Sequence, residues 1–458
     1  MATTRRNFLK QTAMVGAGAV LLDALRPFGA TAFADTCGTA KKSLVHIWLN
    51  GGPASHLLLA PSPTAAAFSS YSTNNPTVGV GVGSNPAGLS ITGTSEYVLH
   101  QSLTAIRDAM NTSLHSFRAS MINYVGYPNQ NYSHEESSSI MKFGSRNYAA
   151  AGTGWAGRLA DQFCTGNDFA VLSFAGRSPV LWSQSYQPLL LDDLSNYQFY
   201  GEDWDGLGAF SRQIFRSIRT GADRNVSETA MKRALTSMDN SVGIMRTIVS
   251  TYEALPSGQR AAYPTEDLNS TTQDPNQMHW FARRLRDTAI MIRSNIPPQF
   301  VTIELGGWDT HGDGDERIPQ LATQLNLALR AFCQDLSLGG VADKTLIVAQ
   351  GEFGRNGFEN ASKGNDHGHG GMMLVLDTKA RPGVLGPTGY NSIDFYKRGI
   401  QGSRGEIPGG YGYRRDDGTA VDGIDFREIL EQVIQEAGFP TDQIFTESFS
   451  RAGISVFT

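Results

Sequence analysis

Five short apolar runs, each leading into a glycine-rich polar segment, constrain the fold of this chain more than any other feature. They centre near residues 45, 122, 171, 302 and 347 and read SLVHIWLNGGPASH, ASMINYVGYPNQNYSH, FAVLSFAG, QFVTIELGGWDTH and KTLIVAQGEFGR. A brief apolar run bounded by turn residues is typical of a buried strand that ends in a loop. The sequence therefore predicts a set of buried strands followed by polar loops.

Segments with helical periodicity separate several of these runs. Residues 316–337 have it between the runs near 302 and 347, which predicts a strand-helix-strand crossover and a parallel pair of strands. Residues 277–295 predict a second helix. The segment DFREILEQVIQEAGF predicts a third, with one apolar face formed by Phe426, Ile429, Val433 and Ile434. Helices that alternate with apolar strands predict an α/β fold whose mostly parallel sheet is covered on both faces.

The first 34 residues have the pattern of a twin-arginine export signal. Arg5 and Arg6 precede a short apolar stretch, and an Ala-x-Ala site ends at Ala34. The apolar run from 13 to 22 is shorter than the roughly 20 residues that a membrane span needs. We therefore expect cleavage after Ala34, no stable membrane span afterwards, and a periplasmic or extracellular domain over residues 35–458; an uncleaved anchor is the alternative.

Composition limits the partners of that domain. The formal net charge is −5 for the whole chain and −8 once residues 1–34, which carry +3, are removed. Nucleic acid is not expected as a partner, because phosphate binding needs a basic face. Cys37, Cys164 and Cys333 allow at most one internal disulfide, with three pairings open. Residues 185–275 are rich in Ser, Asn, Asp and Tyr and are interpreted as a helical and loop insertion in a cap.

Two short motifs place metal-binding side chains after predicted strands. GGWDTH puts Asp309 and His311 two residues apart in an extended segment, where both side chains can point the same way. NDHGHGG adds Asp366, His367 and His369 among glycines that let the backbone turn tightly. A hydrogen-bonded loop whose histidines cap carbonyls is the alternative reading of NDHGHGG, and Asp-x-His alone is a common pattern. Together they offer two carboxylates and three imidazoles, which suit zinc or a similar divalent ion.

Two charged residues follow the strand TLIVA. Glu352 stands where an acid would reach the same sheet edge as a further metal ligand, and it is equally placed to pair with Arg355. Arg355 is a candidate for holding an anionic substrate group with its two-pronged guanidinium. Both readings of Glu352 stay open, because acidic ligands also have charged partners behind them.

A serine stands at a predicted helix start. In NYSHEESSSIMKFG, Ser133 and His134 precede a helical pattern, and Glu136 follows three residues after the serine as in a capping box. Ser133 is therefore either a helix cap or a nucleophile, since a helix N-terminus stabilises negative charge. Ligands of open parallel sheets bind at the carboxyl ends of the strands. The histidines expected at that edge are His56, His134, His311, His367 and His369.

The motifs taken together resemble a known family. A twin-arginine leader, WLNGGP, YPNQNYSH, GGWDTH, GEFGRN and NDHGHGG occur in this order. This combination resembles the DUF1501 family of the alkaline phosphatase and sulfatase-like superfamily, over essentially the whole mature chain. The resemblance implies a three-layer α/β/α sandwich of the alkaline phosphatase-like type with a metal centre at the sheet edge. By analogy with the superfamily it implies an exported hydrolase of phosphate or sulfate esters.

The resemblance also assigns roles to residues and leaves a rival function. It implies Ser133 as nucleophile and these metal ligands: Asp309, His311, Glu352, Asp366, His367 and His369. Zinc is the first expectation, with calcium or manganese as alternatives, and the substrate would be an anionic small-molecule or polymer ester. The chain departs from the family at ASHLLLAPSP, which lacks the usual acids after GGP, so a second ion is in question. Asn50, directly before GGP, stands where the first strand of a metallohydrolase often carries an acidic ligand. The rival is a secreted, catalytically silent binding or surface-assembly protein that retains a structural metal site.

Overall fold

A computed structural model describes most of the chain. The described residues are 42–127, 130, 132–163, 169–194, 197, 241–368, 370–386, 413–414, 420–421 and 423–458. The predicted export signal, Cys37, Cys164, His369 and residues 198–240 of the predicted cap lie outside them. Among the described helices, none combines the length and the apolar character that crossing a membrane requires.

A central mixed sheet organises the molecule. Over the described residues it has nine strands: β1 Ser43–Leu49, β2 Arg118–Gly126, β3 Val171–Ser173, β4 Leu189–Leu190, β5 Phe300–Leu305, β6 Thr345–Gln350, β7 Gly371–Asp377, β8 Gly383–Leu385 and β9 Ile424–Asp425. Their order is β8-β2-β7-β6-β1-β5-β3-β4, and β9 pairs with β2. Only β7 runs antiparallel to its neighbours among these strands. The predicted mostly parallel sheet is therefore confirmed.

The predicted crossover between β5 and β6 differs in one respect from the structure. Both strands run in the predicted common direction, but β1 lies between them and pairs with each. His46 of β1, for example, stands between Thr302 and Val348 in the register. The connecting helix spans residues Gly314–Leu338, close to the predicted 316–337. Periodicity predicts the direction of a crossover, but which strand fills its centre depends on pairings distant in sequence.

Helices cover both faces of the sheet. They are α1 Ser55–Leu58, α2 Phe68–Asn74, α3 Thr104–Asn111, α4 His134–Phe143, α5 Tyr148–Ala151, α6 Trp155–Phe163, α7 Trp280–Ile292, α8 Gly314–Leu338 and α9 Phe426–Glu436, and residues 241–253 are also helical. Smaller paired strands are Leu59–Pro61 and Leu89–Ser90 with Tyr97–Leu99, Tyr263–Pro264 with Thr271–Thr272, Gly354–Arg355 with His367–Gly368, and Tyr413–Arg414 with Ala420–Val421.

The two faces form two separate apolar cores. On one face Val45 and Ile47 of β1 belong to a core that includes side chains of α3, α7 and α8. On the other face Leu44 and Trp48 belong to a core that includes side chains of α4, α6 and α9. Alternate residues of a strand point to opposite faces, so every residue of β1 is buried because both faces are covered. The result is a three-layer α/β/α arrangement.

A buried cysteine bears on the predicted disulfide. Cys333 of α8 is fully buried and free. Burial raises the pKa of its thiol, which keeps the sulfur protonated and unreactive. The other two cysteines of the pairings left open by the sequence, Cys37 and Cys164, lie outside the described residues.

His46 is a core histidine rather than a ligand. Its ring is fully buried in β1, with Nδ1 3.1 Å from Thr302 Oγ1 and Nε2 accepting from Gln350 Nε2 at 3.2 Å. Burial, helped by the charge of Lys142, lowers the pKa of His46 to about 3. The imidazole is therefore neutral in the folded chain at neutral pH.

This histidine is expected to make the protein acid-labile. An unfolded histidine has a pKa near 6.5, so the unfolded chain binds the extra proton as the pH falls below that value, and the folded state loses roughly 3 kcal/mol between pH 7 and pH 4. Urea unfolding of wild type and His46→Gln at both pH values measures this term. The variant should lose less stability on acidification, and an equal loss in both proteins would contradict the assignment.

Candidate metal centre

Four side chains converge at the carboxyl edge of the sheet. They are His134 at the start of α4, Asp309 and His311 after β5, and His367 in the short ribbon before β7, and their ligand atoms lie within 4.8 Å of one another. Asp309 Oδ1 is 3.3 Å from His134 Nε2, 3.2 Å from His311 Nε2 and 3.9 Å from His367 Nε2. Three imidazole nitrogens and one carboxylate oxygen thus face one point, a donor set that suits a transition metal.

Two of the imidazoles are held from behind by carboxylates. His134 Nδ1 is 2.7 Å from Glu352 Oε1, and His311 Nδ1 is 2.8 Å from Asp366 Oδ1. Hydrogen bonds of this kind fix the ring orientation, so that the Nε2 lone pair points at the site. The structure therefore places Glu352 and Asp366, predicted as direct ligands, behind His134 and His311 and outside the group of four.

The third imidazole is held by the backbone and by an aromatic ring. His367 Nδ1 is 2.6 Å from the carbonyl oxygen of Tyr132. The buried ring of Phe353 lies 4.7 Å from the His367 ring and 4.8 Å from the His134 ring, centroid to centroid. Phe353 therefore forms an apolar floor that sets the spacing of these two rings.

Arg355 fixes the carboxylate of the site. Its Nη2 donates to Asp309 Oδ1 at 2.6 Å, while Nε donates to the carbonyl of Gly52 and Nη1 to that of Asn365, both at 2.9 Å. The side chain is buried, with 1% of the residue exposed. The guanidinium predicted to hold an anionic substrate therefore faces the protein interior, and its partner is Asp309.

These contacts shift the pKa values of the ligands in different directions. Burial alone would raise the pKa of Asp309, but the hydrogen bond and charge of Arg355 outweigh it and hold that pKa below its ordinary value. The hydrogen bond to Glu352 raises the pKa of His134, whereas burial lowers that of His367. Asp309 is thus kept ionised, the form in which a carboxylate binds metal.

The loop that carries Asp366 and His367 is fastened to both neighbouring segments. Asn360 Nδ2 donates to the carbonyl of His311 at 2.9 Å and to Asp366 Oδ1 at 3.2 Å. Glu359 accepts from the backbone N–H groups of Thr77 and Val78, which follow α2. The histidine loop is therefore held against both the Asp309–His311 segment and the α2 segment.

A glycine turn after β1 allows the backbone to approach Asp309. Gly51 has a φ of +116°, and a side-chain Cβ there would lie 2.2 Å from the backbone nitrogen of Asp309. Its N–H donates to both oxygens of Glu352, at 3.0 and 3.2 Å. The turn thus contacts the candidate ligand Asp309 and also Glu352, the carboxylate that orients His134.

Gly51→Ala is expected to weaken metal binding by about 10–100-fold, the range typical of changes behind the ligands. The added methyl group must displace the backbone of Asp309, and alanine is strained at this φ. Zinc titration by calorimetry measures the effect. Gly83→Ala is the matched control, because Gly83 has a φ of +59° with open space around its Cβ position. Equal zinc affinity of the two variants would contradict this coupling.

Ser133 is the N-cap of α4, which is one of the two roles that the sequence leaves open. Its Oγ accepts from the backbone N–H of Glu136 at 3.3 Å, and the helix ends at Gly144 with φ +66°. The residue is half-buried and directly precedes His134. The cap therefore sets the start of α4 and with it the position of one imidazole of the site.

Other predicted residues lie elsewhere. His56 is buried in α1 and is not among the four, and burial lowers its pKa to about 3. Asn50 donates to Glu304 Oε1 at 2.8 Å. His134 is the member of the group that the motif spacing did not single out as a ligand. Its only sequence signal was its place among five histidines at one sheet edge.

A family model described as "Protein of unknown function (DUF1501)" matches residues 41–389, which contain all four side chains of the cluster. The chain belongs to the DUF1501 family. No curated protein matches it in sequence. A solved structure of the lipoteichoic acid synthase LtaP from Listeria monocytogenes is similar over 83% of this chain and 73% of that one, at 9% identity and a TM-score of 0.30.

The cluster of this DUF1501 protein is open to solvent. The side chains of Asp309 and His311 are 50% and 44% exposed, that of His134 is 35% exposed and that of His367 21%. Structural zinc sites are usually closed by protein, whereas catalytic ones keep a face for substrate or water. The exposure therefore separates this cluster from a buried structural site.

Proposed function

We propose that this DUF1501 protein is an exported metal-dependent hydrolase that acts on a phosphate or sulfate ester. The observation that carries the proposal is the open cluster of His134, Asp309, His311 and His367 at the carboxyl edge of the sheet. The Arg5-Arg6 signal supports export, and the acidic net charge favours a non-nucleic-acid substrate, either a small anionic ester or an ester of a polymer.

Zinc fits the donor set best. Its tetrahedral preference matches three imidazoles and one carboxylate, and manganese accepts the same donors. Calcium, the other ion suggested by the sequence, prefers six or more oxygen ligands, which three imidazoles do not offer.

The ion and the side chains around it would have separate roles in hydrolysis. When bound, a divalent ion supplies Lewis-acid polarisation of a phosphoryl or sulfuryl oxygen. Glu352 and Asp366 orient two of the imidazoles, and Arg355 keeps Asp309 ionised. Attack on the ester would come from Ser133 Oγ or from a water molecule. The N-terminus of the ten-residue helix α4 would stabilise the negative charge that develops there.

A second candidate function has its own supporting observation. Four protein donors already complete a tetrahedral shell, as in structural zinc sites, and the hydroxyl oxygen of Ser133 accepts the capping hydrogen bond. Both features suit a secreted binding or surface-assembly protein in which the ion only stabilises the fold.

The two functions are separated by metal content and turnover. Protein purified without chelators is analysed by mass spectrometry for bound metal and then assayed with p-nitrophenyl phosphate and p-nitrophenyl sulfate. We expect about one equivalent of zinc or manganese, with turnover that disappears on chelation and returns with the metal. Metal-loaded protein without turnover on any ester would favour the binding protein, and metal-free folded protein would contradict both.

Two replacements of Ser133 separate capping from attack. Ser133→Asn keeps a good N-cap residue and removes the hydroxyl, whereas Ser133→Ala removes both. If Ser133 is the nucleophile, both variants lose turnover while Ser133→Asn keeps wild-type thermal stability. Turnover retained in Ser133→Asn would assign the attack to water.

A further inference from the structure

Arg355 fills an oxygen-lined cage beside the metal cluster. Four oxygen atoms surround its guanidinium: the carbonyls of Gly51, Gly52 and Asn365, and Oδ1 of Asp309. The guanidinium nitrogens lie 2.9 Å from the carbonyl oxygens of Gly52 and Asn365 and 2.6 Å from Asp309 Oδ1. Backbone carbonyls with a carboxylate are the ligands that hard cations prefer. The cage is therefore built to hold positive charge.

The cage and the cluster share one atom. Asp309 Oδ1 accepts from Arg355 Nη2 on one side and faces the Nε2 atoms of His134 and His311, at 3.3 and 3.2 Å, on the other. A carboxylate oxygen with positive charge on both sides acts as a bridge between two cationic positions. In this chain a side chain occupies one of the two positions.

The neighbouring corner, among the described residues, does not supply a second group of ligands for an ion. Asn50, which ends the first apolar run, donates its amide to Glu304. Over the described ranges, His134, Asp309, His311 and His367 form the one group of three or more His, Cys, Asp or Glu side chains arranged for an ion. Arg355 thus supplies the positive charge that contacts Asp309 directly.

We infer that the centre takes a single metal ion and that Arg355 is its built-in second cation, a positioning residue that holds Asp309 as a one-oxygen ligand. The inference rests on the proposed metal-dependent function and adds the number of ions and the residue that fixes it. Because Arg355 is buried, it acts on the site through its hydrogen bond to Asp309.

Metal stoichiometry is the first test. Wild-type protein stripped of metal and titrated with zinc, and separately with manganese, is expected to saturate at one equivalent by calorimetry and by mass spectrometry. Saturation at two equivalents would overturn the inference while leaving a metal-dependent hydrolase standing. No binding of either ion would overturn the metal centre itself, so the two failures are distinguishable.

Chemical rescue tests the role of Arg355. Arg355→Ala is expected to bind zinc about 10–100-fold more weakly, the range typical of groups that orient a ligand. Guanidinium ion at low millimolar concentration should enter the vacated cage and restore much of the affinity. Urea has the same planar shape without the charge and should not restore it. Rescue by urea or sodium chloride to the same extent, or none by guanidinium, would overturn the assignment.

Arg317 provides the matched control arginine. Its guanidinium also donates to backbone carbonyls next to the site, those of Asp309 at 3.0 Å and Gly307 at 2.7 Å, but the residue is half-buried and touches no side-chain oxygen of the cluster. Zinc affinity of Arg317→Ala should not respond to guanidinium.

If Arg355→Ala does not fold, Arg355→Lys keeps the charge. It should bind one equivalent of zinc more weakly than wild type, and wild-type affinity in this variant would overturn the need for the guanidinium fork.

Discussion

Loss of His367 is expected to abolish metal binding under conditions in which loss of Asp366 only weakens it. His367→Ala removes one of the four donors that face the ion, so zinc affinity should fall by more than about 100-fold. Asp366→Ala leaves all four donors and releases the His311 ring and the Asn360 amide, and groups in that position contribute about 10–100-fold. Calorimetric zinc titration of both variants, with ester turnover measured in parallel, checks the order of the two effects.

His115→Asn is the control for replacing a histidine. His115 is exposed, has a φ of +48° that asparagine tolerates, and precedes β2 at the end opposite to the cluster. Zinc affinity should match wild type in this variant. If Asp366→Ala lost as much affinity as His367→Ala, the carboxylate would have to be a direct ligand, as the sequence alone suggested.

Loss of Asp335 is expected to give the largest decrease in stability. This carboxylate lies fully buried in α8 and accepts from the hydroxyls of Tyr252 at 2.5 Å and Tyr263 at 3.0 Å and from Arg293. Asp335→Ala would leave two hydroxyls and a largely buried guanidinium without their acceptor. The free energy of unfolding should fall by roughly 3–5 kcal/mol, as for other broken buried ion pairs.

Urea unfolding of zinc-loaded protein at neutral pH measures this change. Asp343→Ala is the matched control, because Asp343 is exposed and substitutions at such surface positions usually change stability by about 0.5 kcal/mol or less. The zinc stoichiometry of Asp335→Ala should stay at the wild-type value, since its contacts do not include the cluster. A loss of stability no larger than that of Asp343→Ala would show that this network is not stabilising.

The fold followed from the sequence because its signals are local. Five of the six residues at 300–305 are buried because helices cover both faces of the sheet, and α8 lies close to its predicted ends because its apolar side chains recur every turn. Phe426 and Val433 of α9 are fully buried, as their spacing predicts. Local periodicity does not encode which strands become neighbours. The sequence therefore did not predict that β1 lies between β5 and β6.

The sequence also determined that metal-binding side chains would meet at one edge. Asp309, His311 and His367 follow strand ends or lie in a loop beyond them, and three of the four members of the cluster are among its predicted ligands. This inference needs only the common direction of parallel strands. It does not need the orientation of any ring.

Only the tertiary structure decided which acids touch the site and which stand behind it. Glu352 and Asp366 hold imidazoles because packing turns each Nδ1 toward them, and His134 joins the cluster because the cap of α4 places it there. The sequence suggested that Arg355 holds an anionic substrate group, yet this residue is buried, as is Asp335, since carbonyls or hydroxyls from distant segments surround them. A charged side chain is buried only where such partners are available. The periodicity of the sequence does not show which distant segments supply those partners.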